Sequence, residues 1–210
     1  MKTIIITGPS GSGKTNLTNK LIKLFDNTIV INTDSYYRDS ILIKFLSIFK
    51  YDIYDRTISI KKKEIENTLN SIYNQSGLIS LYSYDFKRKK SLKTKIKLVY
   101  NSENQFVILE GIFSHRLDIN YKDTINILCE EDKKICFKRR LKRDQIERGR
   151  NINEVNRKFS KSWNLFHNNI KNYKENNNLI TINPVDKISY DQLIFYLNNI
   201  FKNKKTKKNK

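Results

Sequence analysis

The sequence predicts an α/β fold in a single domain, with a mainly parallel central sheet flanked by helices. Three observations carry this expectation. Short apolar runs recur at Thr3–Thr7, Thr28–Asn32, Phe106–Leu109, Ile125–Cys129 and Leu179–Ile182. Strands buried on both faces read as continuous apolar runs of this kind, without alternation. Between the runs lie longer stretches with apolar residues at helical spacing, and the first of these follows a glycine-rich turn.

The elements can be justified in order. Lys14–Phe25 is a helix with Leu17, Leu21 and Leu24 on one face. Glu64–Tyr73 is a second helix, and Gly77–Leu81 and Ile96–Tyr100 are short strands. Helices then run from Asp132 to about Glu147, from Glu154 to about Tyr173, and from Asp191 to Phe201. The domain spans 1–201, and 202–210 (KNKKTKKNK) is a basic tail too poor in apolar residues to pack, expected to be disordered.

Composition bounds the function. A chain of 210 residues, 38% of them apolar, can bury one core. Lys and Arg number 41 against 21 Asp and Glu, so the formal charge is +20, and the sequence pI is about 9.8. Such a balance favours polyanionic partners: nucleotides, nucleic acid or acidic membrane surfaces. The excess is spread along the chain among many Asn, Ile and Tyr, as on solvated faces, and no nucleic-acid-binding motif appears. Two cysteines, Cys129 and Cys136, and two histidines, His115 and His167, make neither a disulfide framework nor a Cys/His metal site. The first strand starts just after Met1, which leaves no room for a signal peptide, and no apolar run is long enough to span a bilayer. The expected location is the cytoplasm.

The chemistry starts at Gly8-Pro9-Ser10-Gly11-Ser12-Gly13-Lys14-Thr15. This is the phosphate-loop pattern G-x-x-x-x-G-K-T in full, between a strand and a helix. The glycines let backbone N–H groups turn inward onto phosphate oxygens. Lys14 adds a point charge near the β- and γ-phosphates, the Thr15 hydroxyl can ligate Mg²⁺, and the helix contributes its positive N-terminal end. The ligand implied is a nucleoside triphosphate, ATP in the first instance.

Phosphoryl transfer also needs a group to position the nucleophile, a metal, and cations for the developing charge. Asp34 lies just past the second strand, and Glu110 ends the Phe106–Leu109 strand. Ligand groups in open α/β sheets gather beyond the carboxyl ends of strands. The cations lie in 138–150, KRRLKRDQIERGR, where Arg140 and Arg143 share a helix face and Arg148 and Arg150 flank Gly149. An arginine-rich helix ending on a glycine can act as a lid that excludes water and brings guanidinium forks to phosphate oxygens.

Taken together, the blocks GPSGSGKT (8–15), TDSYYR (33–38), FKYDIYD (49–55), YSYDFKRK (82–89), ILEGIF (108–113) and RRLKRDQIERGR (139–150) resemble the uridine kinase family of phosphate-loop kinases. The resemblance implies ATP- or GTP-dependent phosphorylation of the 5′-hydroxyl of a pyrimidine nucleoside with Mg²⁺, in nucleotide salvage. It implies that Asp34 is the base facing that hydroxyl, that Tyr37 lines the nucleoside site, that Asp52 holds ribose hydroxyls, and that Tyr84 and Phe86 surround the base. Arg140 and Arg150 match substrate-contacting arginines of the lid, and Arg143 and Arg148 match phosphate-side ones. Thr15 and Glu110 match the metal site, and Asp186 matches an aspartate near the adenine. Homo-oligomers are common in the family.

The chain departs from the family pattern at three places. Lys89 stands where the family has a base-reading histidine, Lys158 stands where it has a glutamine, and Asp52-Ile53-Tyr54-Asp55 replaces Asp-His-Pro-Asp. Lysine donates hydrogen bonds but cannot accept them, whereas histidine does either. Two alternatives therefore stay open: a kinase of another small hydroxylated acceptor, as in the related phosphoribulokinases, and a basic polyanion-binding protein without kinase activity.

Overall fold

A computed structural model of the chain describes residues 1–38, 57–85, 88, 90–100, 106–117, 124–176 and 178–207. Five parallel strands form the central sheet in the order β2-β5-β1-β6-β7. They are β1 (Lys2–Thr7), β2 (Ile29–Asn32), β5 (Phe106–Glu110), β6 (Ile125–Cys129) and β7 (Leu179–Ile182). Each of the five continuous apolar runs of the sequence thus becomes a strand of one parallel sheet. β1 is central, with Ile4 paired to Ile108 on one side and to Ile125 on the other.

Alternate residues of β1 feed two separate cores. Ile4 and Ile6 pack with Leu17, Leu21 and Phe25 of the first helical segment and with Leu193 and Leu197. Ile5 faces the opposite layer, with Ile65, Leu69 and Ile72. The helices that supply these residues are α1 (Lys14–Leu24), α2 (Lys62–Tyr73) and α5 (Lys187–Lys207). Two more, α3 (Lys133–Arg148) and α4 (Ile152–Asn176), pack on each other, and α4 sets Phe166 and Ile170 against Leu128 of β6. No helix among the described residues is long and apolar enough to cross a membrane.

Several boundaries differ from the sequence expectation, each for a local reason. The expected strand Gly77–Leu81 falls within β3 (Leu78–Asp85) except for Gly77, whereas of the expected Ile96–Tyr100 only Ile96 and Lys97 belong to a strand, β4 (Lys90–Lys97); β3 and β4 form an antiparallel pair outside the parallel sheet. In β4 the apolar Leu92 and Ile96 are separated by Lys93, Thr94 and Lys95, so the strand carries no continuous apolar signal. Helices α4 and α5 begin earlier than their apolar periodicity suggests because side-chain caps start them. Asn151 Oδ1 accepts from the Glu154 N–H at 2.9 Å, and Asp186 Oδ2 accepts from the Ser189 N–H at 2.8 Å. Such caps satisfy N–H groups that have no partner within the helix. α5 continues to Lys207, into the stretch read as a tail. On α1 the buried face is Leu17, Leu21 and Phe25, while Leu24 is 51% exposed.

Leu21, with no exposed surface, fills the layer between α1 and the sheet. Leu21→Ala is expected to lower the unfolding free energy by about 3 kcal/mol, read from urea denaturation. Leu24→Ala on the same helix is expected to change it by less than about 0.5 kcal/mol.

Candidate active site

The parallel sheet brings three strand ends together. β1 stops at Thr7, the glycine-rich loop follows, and α1 starts at Lys14. At Gly11, φ is +91°, and a Cβ would stand 2.3 Å from the carbonyl oxygen of Cys136 in α3. Only glycine fits between the loop and that helix. The Lys14 ammonium is buried and donates to the carbonyls of Gly8 at 2.9 Å and Pro9 at 3.1 Å. Ser12 is buried, and its Oγ has no hydrogen-bond partner among the described residues. The fit to a phosphate rests on the loop itself, whose glycines at 11 and 13 take positive φ and line the cavity with Lys14 and Thr15. Behind the loop, burial pushes the Cys129 and Cys136 thiols up to about 12 and about 11.

Two carboxylates stand at neighbouring strand ends. Asn32 of β2 is in register with Glu110 of β5, and Ile6 of β1 lies on the other side of Glu110. Thr15 Oγ1 donates to Glu110 Oε1 at 2.8 Å, so a hydroxyl and a carboxylate that suit Mg²⁺ already share one spot. β2 turns into a short 3₁₀ turn, Thr33–Ser35, in which Asn32 Oδ1 accepts from the Asp34 N–H at 3.0 Å. The Asp34 carboxylate in turn accepts from the Ile112 N–H, at 3.0 Å to Oδ1 and 3.3 Å to Oδ2. Burial raises the Asp34 carboxyl above the ordinary aspartate range; Lys14 opposes that shift and Glu110 reinforces it. Gly111 makes the close approach of the two acids possible. A Cβ there would fall 1.9 Å from Thr33 Oγ1 and 2.8 Å from Asp34 Oδ1.

Helix α3 supplies the cations. Arg139 donates to the Gly11 carbonyl at 3.2 Å, and Arg143 donates to Ser10 Oγ at 3.2 Å. Both contacts tie the helix to the phosphate loop. The cluster is organised by Asp144, which has no exposed surface. Its carboxylate lies 3.6 Å from Arg140 Nε, 2.9 Å from Arg143 Nη2, 3.3 Å from Arg148 Nη1 and 2.8 Å from Arg150 Nη1. Burial alone would raise its pKa, but Arg148, Arg143 and Arg140 outweigh it and hold the carboxyl below the ordinary range. Arg148 is lowered to about 10 by burial and by its neighbour Arg143.

A cavity of about 460 Å³ is bounded by these groups. The loop residues Ser10, Gly11, Gly13, Lys14 and Thr15 line one end, with Asp34 and Glu110 beside them. Arg140, Arg143, Arg148, Arg150 and Lys158 line the cationic wall. Tyr37 and Tyr84 line the far side, edge to face with centroids 5.1 Å apart. Of the other residues expected in a site, Asp186 is not among those lining this cavity and caps α5. Asp52, Phe86 and Lys89 lie outside the described residues. Arg139, which also lines the cavity, was not expected from the sequence, nor were the roles of Asp144 and of the Ile112 N–H. Asp144 did leave a trace: it is the one acid within the run 138–146.

Comparison with known proteins agrees with this geometry. The model of the phosphoribulokinase/uridine kinase family matches residues 3–188. A uridine kinase of Lactobacillus helveticus is 32% identical over 155 residues, covering 71% of each chain. A uridine kinase of Borrelia duttonii is 33% identical over 162 residues, covering 74% of this chain and 73% of its own. Among solved structures, a possible uridine kinase from Bacillus stearothermophilus superposes with a TM-score of 0.54 at 15% identity, covering 85% of this chain and 87% of its own. A deoxyadenosine kinase from M. mycoides with bound dATP superposes with a TM-score of 0.50 at 15% identity, covering 94% of this chain and all of its own. At that identity the two structures speak for the fold.

Removing the negative charge at Asp144 leaves buried guanidinium groups uncompensated, which costs about 3–5 kcal/mol where one partner of a buried pair is lost. Asp144→Asn is therefore expected to lower stability at pH 7 by that order in urea denaturation. The folded pKa of Asp144 is depressed, so its contribution is complete above the ordinary aspartate range and disappears as pH falls through the folded value. Between pH 7 and strongly acid solution, the gap between wild type and variant is expected to close.

Proposed function

The chain belongs to the phosphoribulokinase/uridine kinase family and is a phosphotransferase with an alcohol group as acceptor, and on that premise we propose that it transfers the γ-phosphoryl group of ATP, or GTP, to the 5′-hydroxyl of uridine or cytidine. The observation that carries this reading is that Asp34, a partly buried carboxylate, lines the same cavity as the phosphate loop and the Tyr37–Tyr84 pair. The product is the nucleoside 5′-monophosphate, and the role is salvage of free pyrimidine nucleosides.

The residues divide the work. Loop N–H groups, Lys14, Arg143 and Arg148 hold and neutralise the triphosphate. Thr15 and Glu110 would hold Mg²⁺, which would supply positive charge to the transferring phosphoryl group. Asp34 accepts the proton of the 5′-hydroxyl as its oxygen bonds to the γ-phosphorus and the bond to the bridging oxygen breaks. Its pKa, raised by burial, brings it nearer the alcohol it deprotonates. Tyr37 and Tyr84 offer ring surface to a planar base, which orients it while burying apolar area. Asp52 for the ribose hydroxyls, Phe86 for the base, Asp186 near the adenine, and Arg140 and Arg150 for the acceptor are assigned by the family likeness. Closure of the arginine-rich helix as a lid belongs to the same reading.

A second reading has one observation in its favour. Lys158 lines the cavity, with its ammonium 2.7 Å from Glu154. An acceptor that carries its own anionic group would suit that end of the site. Competition between a phosphorylated sugar and uridine separates the two readings, because a pyrimidine-nucleoside site ignores the sugar phosphate.

ATP consumption is expected with uridine or cytidine and Mg²⁺, and not with the nucleoside left out. Asp34→Asn is expected to cut turnover by about 10³-fold while ATP affinity, measured by calorimetry, changes less than about twofold. The base must be ionised to act. Because burial raises the folded pKa of Asp34, kcat/KM is expected to rise with pH along a limb centred above the ordinary aspartate value of about 3.9.

A further inference from the structure

His115 is buried, next to the site but not lining its cavity. Burial and the nearby Arg116 lower its pKa to about 4, with the Ile112 backbone opposing, so the ring is neutral near pH 7 and carries one N–H. Its Nδ1 lies 2.8 Å from Thr7 Oγ1, and Thr7 Oγ1 donates to the Ile112 carbonyl at 3.1 Å. With the threonine proton on the Ile112 carbonyl, we assign the imidazole proton to Nδ1, donating to Thr7 Oγ1. The alternative tautomer would strand an N–H at Nε2, which has no hydrogen-bond partner among the described residues. A buried N–H left unmade is costly. The rings of Phe166 and Tyr173 pack edge-on around the imidazole, at centroid distances of 5.7 and 5.2 Å, and fix its plane.

The Ile112 residue is held at both ends. Its carbonyl accepts from Thr7, and its N–H donates to the Asp34 carboxylate. The opposite flank of the same turn is stapled by Thr33 Oγ1, which donates to the Glu110 carbonyl at 3.1 Å and lies 3.0 Å from Ser114 Oγ. We infer that His115 is a positioning residue: through Thr7 and Ile112 it fixes the N–H that holds the Asp34 carboxylate in place. The chain of contacts runs His115, Thr7, Ile112, Asp34, from the interior of the β1–β6 layer to the reacting face. The importance of Asp34 for turnover rests on the kinase reading above; the hold on its carboxylate does not.

The test follows the carboxylate itself. Carbon-13 NMR titration of the Asp34 carboxyl, assigned by its loss in Asp34→Asn, is compared between wild type, Thr7→Val, His115→Leu and His115→Asn. The Ile112 N–H lowers the Asp34 pKa, so loosening it moves the titration to higher pH. Thr7→Val, nearly isosteric, and His115→Leu are expected to show that shift. His115→Asn, whose amide N–H can replace Nδ1–H, is expected to restore the wild-type curve. With uridine and ATP, the first two variants are expected to lose about tenfold in kcat with both KM values within about twofold, and His115→Asn to recover most of it. An unmoved Asp34 titration in Thr7→Val overturns the inference, whatever the activity does. Equal loss in His115→Leu and His115→Asn, with the titration shifted alike in both, also overturns it, since packing and not the donor would then be at work. A shifted titration in a protein that never phosphorylates a nucleoside leaves the positioning network standing and removes the pyrimidine kinase reading alone.

Discussion

Cations gathered to meet a triphosphate repel each other, and the site depends on how that repulsion is contained. Two unit charges 4 Å apart cost roughly 4 kcal/mol at an effective dielectric of about 20. Arg140, Arg143, Arg148 and Arg150 all converge within 3.6 Å of Asp144. One buried carboxylate offsets several such repulsions and also sets the direction of each guanidinium fork. Helix geometry makes the arrangement cheap: Arg140 and Arg148 stand one turn before and after Asp144, so three groups face one way without strain. Gly149 ends the helix and returns Arg150 to the same carboxylate.

The second constraint is the sheet. Parallel strands deliver their carboxyl ends to one edge, and β1, β5 and β2 lie side by side there. The phosphate loop, Glu110 and Asp34 are therefore neighbours although they are far apart in sequence. Packing then sets their spacing finely. Gly11 lets the loop touch α3, and Gly111 lets the Thr33–Ser35 turn close onto the end of β5. The site is thus built by rigid elements with short connections, the arrangement that holds reacting groups to a fraction of an ångström.

How much of this was legible in the sequence follows from how local each signal is. The phosphate loop and the five apolar strands are written in consecutive residues, and they were read nearly to their boundaries. Asp34 and Glu110 were legible because strand ends are where ligands gather in such sheets. The β3–β4 pair reads as two shorter strands, since Lys93, Lys95 and Lys97 of β4 leave no continuous apolar run. The caps at Asn151 and Asp186 were missed because a cap is a single polar residue whose meaning depends on the dihedral angles around it. Asp186, expected as a nucleotide contact, also caps the start of α5, a role that no sequence pattern marks. Asp144 and His115 lay beyond sequence reasoning for a deeper reason. Their partners come from several elements, and only folding brings Thr7, Ile112 and His115 together.

The edges of the sheet bear on how the molecule behaves in crowded solution. Among the described residues the sheet ends on β2 and β7, each four residues long. An unpaired strand edge is a template for another chain, and a short one offers few backbone groups to recruit it. A formal charge of +20 adds mutual repulsion. The two safeguards fail under different conditions. Salt shortens the reach of the charge to about 8 Å at physiological ionic strength, whereas strand length is indifferent to it. Colloidal stability in concentrated salt therefore falls to the brevity of β2 and β7, and an insertion that lengthened either strand would be felt there first.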